Sequence, residues 1–382
     1  MQFKRYDFAI VNRAFWPESP VIGEALLKLA ETAAKSNQVC VITQSKKNLK
    51  TVLNNARRGY GINIKSCPSY SNVNSKIPTR VFDGFVFMLW TLYSLILTHP
   101  KKIYISTNPP IFIPFIIFFY CFIFRAKYYY HLQDIHPEAA NIIIPLNKLV
   151  FNFLSWLDST VMRNATGLMT LTEEMKEYIQ LRSKTTVPIL LIDNPAFIEE
   201  DELKIVKKTK DIVFCGTAGR LQLVPLILDS ITEYLNNGGT LNFTFIGSGV
   251  YLSKIKLMSQ EFQAISCLGF LPSQEAAEIV SQHRWGLLPI NDAVTRFAFP
   301  SRSSSYIISN CNVLAVCSDN TSVARWVTNN KFGIVSKPDV NSLISHFKSI
   351  ENLETKDVVS VKYKINLSTS YFVEKILKFI KI

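Results

Sequence analysis

The chain has 382 residues, a length that favours two domains, each long enough to bury its own core. Hydrophobic residues make up 48% of the sequence and charged residues 19%, which excludes a disordered polar chain. The net charge of +13 favours phosphorylated ligands or an anionic membrane surface; because the basic residues are scattered and no zinc-finger or RNA-recognition signature is present, we expect no nucleic-acid partner.

The mean hydropathy of +0.15 and the 26 phenylalanines predict an exposed apolar surface in addition to the core. None of the seven cysteines forms a Cys-x-x-Cys pair, and several lie in apolar runs. We interpret them as buried, reduced thiols and expect no metal site. The polar residues 1–7 do not resemble a signal peptide, so the sequence predicts a cytoplasmic protein.

A β-loop-α-β unit opens the chain. The apolar run Phe8–Val11 predicts a buried strand, and apolar residues then recur at helical spacing from position 22 to position 34. Residues 39–43 predict a second strand. Such a unit is the building block of a parallel sheet.

Two apolar segments follow. Residues 81–97 predict a helix and residues 102–107 a strand. The run 111–124 contains Pro114 and is shorter than the roughly 20 residues that a membrane-spanning helix needs, so we do not expect an integral membrane protein. We interpret the run either as a core helix or as a helix that inserts into one leaflet. The basic and tyrosine residues at 125–130 favour membrane contact.

The α/β pattern continues to the end of the chain. The charged stretch 199–210 lacks apolar periodicity and predicts a domain boundary. Residues 173–182 predict a helix, and the tail 371–382 predicts an amphipathic helix. Further strands are predicted at 167–170, 189–192, 212–215, 241–246, 286–289 and 313–316.

The loop after the strand at 212–215 has the pattern Gly216-x-x-Gly219-Arg220 and is expected to open a helix. Amide groups at a helix start and the helix dipole favour an anion, and the Arg220 guanidinium can bind a diphosphate with two hydrogen bonds. The sequence therefore predicts a phosphate site here. A tight structural turn would have the same pattern.

Two other loops contain residues suited to the same ligand. Gly247 and Gly249 lie at a strand end, where an open sheet binds its ligand, unless they form a simple turn. Pro300 and Ser301 precede a predicted helix whose first residues include Arg302. This segment is interpreted either as a second phosphate contact or as an ordinary capped helix.

Polar side chains at strand ends of the first domain are candidates for chemistry. His131 and Asp134 follow a predicted strand, and a histidine can transfer protons near neutral pH. The alternative is structural hydrogen bonding. Glu138, after a second histidine at His136, adds another acid to the same stretch.

The loop after the first strand is a candidate substrate loop. Trp16, Pro17 and Glu18 form an aromatic, proline-containing segment, and Gly23 follows in the next helix. Loops at the carboxyl ends of strands hold ligands in parallel sheets. The alternative is a loop that only packs against the domain.

These segments, in this order, resemble the family 4 glycosyltransferases, and especially the enzymes of bacterial O-antigen, capsule and exopolysaccharide synthesis. The likeness spans almost the whole chain. It is carried by F-W-P-E-S-P-V-I-G-E-A-L-L-K-L-A-E at 15–31, T-N-P-P at 107–110, H-L-Q-D-I-H-P-E at 131–138, F-C-G-T-A-G-R-L-Q at 214–222 and F-A-F-P-S-R-S-S-S-Y-I-I-S-N-C-N-V at 297–313.

The resemblance implies a retaining, metal-independent hexosyltransferase with the GT-B fold, in which two Rossmann-like domains with parallel sheets face each other across a cleft. It implies an acceptor-binding domain over 1–195, a nucleotide-sugar-binding domain over 196–365, and a C-terminal helix over 366–382 that packs back on the first domain. The donor is a nucleotide-diphosphate sugar and the acceptor a lipid-linked or polysaccharide molecule. No cofactor is implied, and peripheral contact with the inner face of the cell membrane is expected.

Residue roles follow from the same resemblance. Arg220 and Arg302 would bind the donor diphosphate, with the glycines of the three loops, Pro300 and Ser301 around it. Trp16, Pro17, Glu18, Gly23 and Glu138 would line the acceptor side, and His131 and Asp134 would face the cleft.

The sequence departs from the family at the loop that carries two glutamates in many relatives. Phe297 and Ser305 stand at those positions. Since the second glutamate commonly binds the ribose, Ser305 and Tyr306 are expected to bind the nucleotide there instead. The missing carboxylates keep two alternatives open: a binding or scaffold protein without turnover, and a nucleotide-sugar epimerase on the same fold.

Overall fold

The chain forms two compact units. The computed structural model describes residues 5–19, 21–71, 75–196, 207–353 and 361–382. One unit comprises Met1–Asp193 and Ser370–Ile382, and the other comprises Asn194–Thr369. Of the predicted boundary stretch 199–210, residues 199–206 lie outside the described residues.

The first unit is built on a seven-stranded parallel sheet with the order β3-β2-β1-β4-β5-β6-β7. Its strands are β1 Phe8–Val11, β2 Val39–Ser45, β3 Ile62–Pro68, β4 Lys102–Ser106, β5 Lys127–His131, β6 Gly167–Thr170 and β7 Ile189–Leu191. Its helices are α1 Ile22–Ala34, α2 Leu49–Asn55, α3 Ile77–Thr98, α4 Phe112–Phe124, α5 Glu138–Ile143, α6 Lys148–Asn164, α7 Glu173–Ser183 and the C-terminal α15 Thr369–Ile380.

The central strand β1 explains why the sequence begins with an unbroken apolar run. All four of its residues are buried, and it pairs with β2 on one side and β4 on the other. A parallel strand that is covered on both faces and paired along both edges has no side that meets water. Each of its positions therefore carries an apolar side chain.

Helices α1 and α15 cover one face of this sheet. Leu26, Leu29 and Ala30 of α1 belong to the same buried cluster as Phe372 and Ile376 of α15. The apolar side chains of α15 recur at helical spacing, which produces the one-sided pattern visible in the sequence. The C-terminal helix thus completes the core of the first unit.

Helices α3, α4 and α6 lie on the opposite face. The connections from β3 onward lead to strands on the other side of β1, and right-handed crossovers then place their helices on the second face. Helix α3 contacts β2, β3 and α4, and α4 contacts α6. Helix α3 starts at Ile77, earlier than the predicted residue 81, because Pro78 in the first turn is compatible with a helix start.

The second unit is built on a six-stranded parallel sheet with the order β10-β9-β8-β11-β12-β13. Its strands are β8 Lys210–Cys215, β9 Phe243–Ile246, β10 Ile265–Gly269, β11 His283–Pro289, β12 Asn312–Val316 and β13 Gly333–Ser336. Its helices are α8 Val224–Asn236, α9 Leu252–Glu261, α10 Ser273–Ser281, α11 Arg302–Ile308, α12 Ser322–Asn329, α13 Val340–Glu351 and α14 Val361–Leu367.

Each sheet has one point where the strand order reverses. In the first unit it lies between β1 and β4, and in the second between β8 and β11. The loops that leave the carboxyl ends of such strands diverge and leave a crevice, where open α/β sheets bind ligands. The prediction of two parallel-sheet α/β domains is confirmed, and these two crevices are where candidate sites belong.

Candidate functional site

Two glycine loops meet at the carboxyl edge of the second sheet. Gly216 follows β8 and Gly247 follows β9, with φ angles of 134° and 135°. A Cβ on Gly247 would lie 1.9 Å from the carbonyl oxygen of Gly216, and a Cβ on Gly249 would lie 2.4 Å from that of Ala218. Because no side chain fits between these backbones, only glycine lets the two loops pack together.

The amide groups of the loop after β8 are largely engaged within the unit. The hydrogen bonds run from Gly216 N to Ile246 O at 2.8 Å, from Ala218 N to Ser248 O at 2.6 Å and from Gly219 N to Gln222 Oε1 at 3.1 Å. The sequence predicted a helix opening at this loop, but a 3-10 turn over Arg220–Gln222 intervenes and α8 begins at Val224. Cationic side chains, rather than a helix start, are therefore the groups left to bind an anion here.

Arg302 lies beside Gly216. Its guanidinium carbon lies 3.3 Å from the position of a Cβ on Gly216 and 4.5 Å from the ring centroid of Phe214. Its Nη1 is buried and has no hydrogen-bond partner among the described residues. Desolvation by burial lowers the pKa of Arg302, but a guanidinium remains charged at neutral pH. A half-buried cation with an enclosed, unused donor favours an anionic ligand.

Arg220 lies on the 3-10 turn at the same edge of the sheet, and its side chain is exposed. The next residue ties the turn to the loop after β11, since Asn291 N donates to Leu221 O at 2.8 Å. The turn that carries Arg220 is therefore fixed at the reversal point between β8 and β11. This is the position at which parallel α/β sheets bind nucleotides.

Tyr306 does not occupy the ligand-facing position that the sequence suggested. Its side chain is fully buried, and its hydroxyl accepts a hydrogen bond from Cys215 N at 2.9 Å and donates one to Leu287 O at 3.1 Å. The ring also covers Gly286 of β11, where a Cβ would lie 2.3 Å from it. Tyr306 thus braces β8 against β11, and its hydroxyl, which also lies near the Arg302 guanidinium, bonds to the backbone of both strands.

Ser305 is likewise enclosed, with only 2% of its surface exposed, whereas Phe297 is half-buried. Pro300 is half-buried and Ser301 exposed before the seven-residue helix α11, and the Ser301 side chain makes no capping hydrogen bond. Ser305 is therefore badly placed to replace a ribose-binding glutamate, because a short buried hydroxyl cannot reach a ligand outside the core.

In the first unit, the predicted substrate loop follows β1. Trp16 and Pro17 are half-buried, and Glu18 is exposed. The Glu18 carboxylate accepts hydrogen bonds from Ser45 Oγ at 2.7 Å and Lys46 N at 3.0 Å. These bonds hold the loop against the end of β2, so Glu18 positions the loop as well as offering an exposed carboxylate.

Gly23 has a packing role. It is buried in α1, and a Cβ at this position would lie 2.7 Å from the carbonyl carbon of Phe15 and 2.7 Å from the amide nitrogen of Trp16. The absence of a side chain lets the first turn of α1 rest directly on the loop. The structure therefore accounts for this glycine without an acceptor contact.

His131 ends β5, as predicted, but its ring points into the core. The side chain is fully buried, and Nδ1 lies 2.6 Å from the hydroxyl oxygen of Tyr104. The ring of Phe372 from α15 lies 5.8 Å away, centroid to centroid. Burial lowers the pKa of His131 to about 3, so the imidazole is neutral at physiological pH. This placement favours structural hydrogen bonding over proton transfer.

The two carboxylates that follow β5 have different environments. Asp134 is exposed on the loop. Glu138 is buried at the start of α5, where it accepts hydrogen bonds from Arg182 Nη1 at 2.6 Å and Tyr178 Oη at 2.8 Å. Arg182 also pairs with Asp158 of α6. Glu138 therefore belongs to a buried ion network and is not available for an acceptor in this arrangement.

The sequence interpretation missed polar residues at both reversal points. Arg13 lies two positions after β1 and pairs with Asp83 of α3 at 2.7 Å, between Nη2 and Oδ2. Asp292 follows β11 and accepts from Ser318 N at 2.9 Å. A charged residue two or three positions after a buried strand is the available signal, and it would identify both residues.

Comparison with known proteins gives structural matches only. No family model matches the sequence, and no curated protein matches it. The structure of HepE from Anabaena in complex with UDP has a TM-score of 0.66 at 11% identity and covers 98% of this chain and 99% of its own. WaaG, a glycosyltransferase of lipopolysaccharide biosynthesis, has a TM-score of 0.68 at 12% identity, with coverage of 98% and 99%.

A different activity appears on the same scaffold. The UDP-GlcNAc 2-epimerase of Methanocaldococcus jannaschii has a TM-score of 0.56 at 11% identity and covers 98% of this chain and 99% of its own. The chain has the GT-B fold. At such low identities the similarity extends to the fold and not to the reaction.

Proposed function

We propose that this chain is a glycosyltransferase that moves a sugar from a nucleotide diphosphate to a lipid-linked or polysaccharide acceptor of bacterial surface polysaccharide synthesis. The solved structures that share its fold include two bound to UDP and a named glycosyltransferase. The proposal assigns the donor to the second unit and the acceptor to the loop after β1 in the first.

The observation that carries the proposal is the environment of Arg302. The Arg302 side chain is half-buried, and its enclosed Nη1 has no hydrogen-bond partner among the described residues. It lies beside Gly216, where a Cβ would come within 3.3 Å of the guanidinium carbon. A diphosphate would supply the missing acceptor oxygens and the opposite charge. Arg220, exposed on the adjacent turn, would bind the same diphosphate from the solvent side.

The proposed chemistry is transfer with retention of the anomeric configuration. The acceptor hydroxyl oxygen bonds to the anomeric carbon on the face from which the diphosphate leaves, the bond between that carbon and the diphosphate oxygen breaks, and the hydroxyl proton passes to the departing diphosphate. Negative charge then grows on the leaving diphosphate. Fixed cations aimed at that charge lower the barrier without any rearrangement during the reaction. We assign this work to Arg302 and Arg220 and propose that the reaction needs no metal and no further cofactor.

We also propose that the enzyme works in the cytoplasm at the inner face of the membrane. A sugar donor that is a charged nucleotide is used from the aqueous side, and a lipid-linked acceptor is presented at the bilayer surface. Exposed apolar side chains on α3, α4 and α6 support contact with such a surface.

The first test is a thermal-shift panel of UDP, GDP and their common sugars on the wild type and on Arg302→Gln. Ligand at about 100 times its Kd adds roughly 2.7 kcal/mol of stability. Lys348→Gln is the matched control, because it removes the same charge from the exposed last turn of α13, which runs back to the opposite edge of the sheet. We expect one nucleotide family to stabilise the wild type and the control but not Arg302→Gln.

Transfer assays then separate the rival functions. Consumption of the donor sugar only when an acceptor is present supports a transferase. Conversion of the donor without an acceptor indicates an epimerase. Nucleotide binding without consumption of the donor sugar under either condition indicates a scaffold without turnover. That alternative follows from Phe297 and Ser305, which stand at the usual glutamate positions. No stabilisation by any nucleotide contradicts the donor site itself.

A further inference from the structure

Helices α3, α4 and α6 form an apolar surface on the first unit. They lie side by side, since α4 contacts both α3 and α6. Their outward positions carry large side chains that are 39% to 79% exposed, and we call this surface the outer apolar face. Its members are Val81, Phe82, Phe85, Leu89, Tyr93 and Ile96 of α3, Phe112, Phe119, Phe122, Ile123 and Phe124 of α4, and Leu149, Val150, Phe153 and Trp156 of α6.

The exposure of single residues on this face is large. Phe122 is 76% exposed and Leu149 is 79% exposed. Phe153 and Trp156 stack with ring centroids 6.2 Å apart while both remain more than half exposed. Isolated apolar residues are common on protein surfaces, but a contiguous face of aromatic and aliphatic side chains marks an interaction site.

The charges around the face have one sign. The three helices contain two acidic residues, Asp83 and Asp158, and both are fully buried. The exposed cations stand at the helix ends: Arg80 in the first turn of α3, Lys148 at the start of α6, and Arg125 immediately after α4. The face is therefore an apolar centre between cationic ends, without an exposed carboxylate on these helices.

We propose that the outer apolar face docks the first unit onto an anionic lipid bilayer. Aromatic and aliphatic side chains would enter the boundary between headgroups and acyl chains, and the cations at the helix ends would contact lipid phosphates. A second copy of this chain fits less well, because a two-fold interface would bring identical cationic ends together. The proposal names the surface behind the membrane contact of the proposed function, and it does not depend on the donor site.

The contact is peripheral rather than spanning. Residues 78–98 of α3 are long and apolar enough to cross a membrane, with a mean hydropathy of 1.7 over an 18-residue window, but 33% of that window is buried in the protein. Phe87 and Leu95 of α3 and Ile113 and Ile117 of α4 are almost fully enclosed. Because each helix has one side in the core and one side exposed, it can lie in the bilayer surface only along its length.

The test is vesicle flotation with the full chain. The vesicles are phosphatidylcholine alone and an equal mixture of phosphatidylcholine and phosphatidylglycerol. We expect the wild type to float with the mixed vesicles and to be released by salt only in part, since salt screens the cations but not the apolar contact. The double variant Phe122→Ser, Trp156→Ser should bind at least about tenfold more weakly, as expected for removing two apolar side chains from the contact.

Two control variants make the result specific. Leu257→Ser with Phe270→Ser removes two exposed apolar side chains of the second unit, 66% and 73% exposed, and should bind like the wild type. Arg125→Gln should weaken binding to the anionic vesicles and leave binding to phosphatidylcholine unchanged. Far-ultraviolet circular dichroism and the nucleotide thermal shift show whether the Phe122→Ser, Trp156→Ser chain still folds and still binds donor.

A second measurement locates the contact without disturbing the fold. Bromolipids quench tryptophan fluorescence within the bilayer, and we expect that quenching to decrease in Trp156→Phe, which keeps the apolar surface, while the half-buried Trp90 of α3 stays in place. Equal flotation of the wild type and the Phe122→Ser, Trp156→Ser chain, or bromolipid quenching that is the same in the wild type and Trp156→Phe, would overturn the proposal. So would concentration-dependent dimerisation that the same double variant abolishes, without vesicle binding. None of these outcomes affects nucleotide binding, so the two proposals fail separately.

Discussion

The buried carboxylate of Asp83 fastens α3, the first helix of the outer apolar face, to the loops at the carboxyl edge of the sheet. Its Oδ1 accepts from Gln44 Nε2 at 2.7 Å and from Tyr70 N at 3.0 Å. Its Oδ2 accepts from Arg13 Nη2 at 2.7 Å and from Ser71 N at 3.0 Å. The perturbation is Asp83→Asn, which keeps the shape and removes the charge.

The magnitude follows from the pKa and the pairing. Burial alone would raise the pKa of Asp83, but hydrogen bonds from Ser71 and Tyr70 and the charge of Arg13 outweigh it and lower the pKa to about 2. The difference from 3.8 corresponds to roughly 2 kcal/mol in favour of the folded carboxylate. Asparagine also turns an amide donor toward other donors and leaves Arg13 without its carboxylate partner, so we expect a total loss of about 3 kcal/mol.

The pH dependence has a definite sign. Because folding depresses this pKa, the carboxylate contributes its full stabilisation above the unfolded pKa of about 3.8 and loses it as the pH falls toward 2. The Asp83→Asn chain lacks a titrating group at this position. The difference in unfolding free energy between the wild type and Asp83→Asn should therefore be constant near neutral pH and shrink below about pH 4.

The assay is urea unfolding followed by circular dichroism, with Arg13→Gln and the double variant completing a mutant cycle. Asp7→Asn is the control, because its ion pair with Lys101 is exposed, with side-chain exposures of 34% and 52%, and should contribute less than about 1 kcal/mol. A loss below about 1 kcal/mol for Asp83→Asn, or additive single variants, would refute the reasoning that this pair is a coupled, buried anchor.

Three further outcomes are expected. Gly247→Ala should lower the melting temperature by several degrees, because its Cβ would lie 1.9 Å from the Gly216 oxygen. An unchanged melting temperature would show that the loops after β8 and β9 can move apart without a loss of stability. Tyr306→Phe should lower the free energy of unfolding in urea by about 1–3 kcal/mol, because it leaves the Cys215 amide unpaired. Nucleotide affinity should stay the same, and a loss of affinity without a loss of stability would indicate that Tyr306 contacts the ligand. His131→Gln should flatten the dependence of stability on pH between about pH 6.5 and 3. In that range the wild type loses stability on acidification, because the imidazole binds a proton in the unfolded chain but stays neutral when buried. The measurement is thermal melting as a function of pH, and the same slope in both chains would contradict the burial of His131 as a neutral ring.

The fold class could be predicted from the sequence because the strands of a covered parallel sheet carry short, predominantly apolar runs. The runs at Phe8–Val11 and Gly167–Thr170 have the bounds predicted for them, and both strands are fully buried. The alternation of such runs with helical patterns is a local property of the chain. It requires no knowledge of which distant residues pack together.

The outer apolar face could be predicted only in part. The segment 111–124 was recognised as apolar, yet a helix that is apolar on all sides carries no periodicity to separate its buried side from its exposed side. That Ile113 is enclosed while Phe122 is exposed depends on the neighbours that the sheet order brings to each side of the helix.

The sequence by itself determined which residue types stand at the ends of strands, and hence that cations, glycines and carboxylates gather at the two sheet edges. Only the tertiary structure decided which of them can meet a ligand. His131 and Tyr306 turn into the core, Glu138 is taken by Arg182, and Arg302 is left with an unpaired donor beside Gly216. The reason is that the direction and partners of a side chain are set by contacts between segments far apart in the chain, such as α15 against His131, and no local pattern records them.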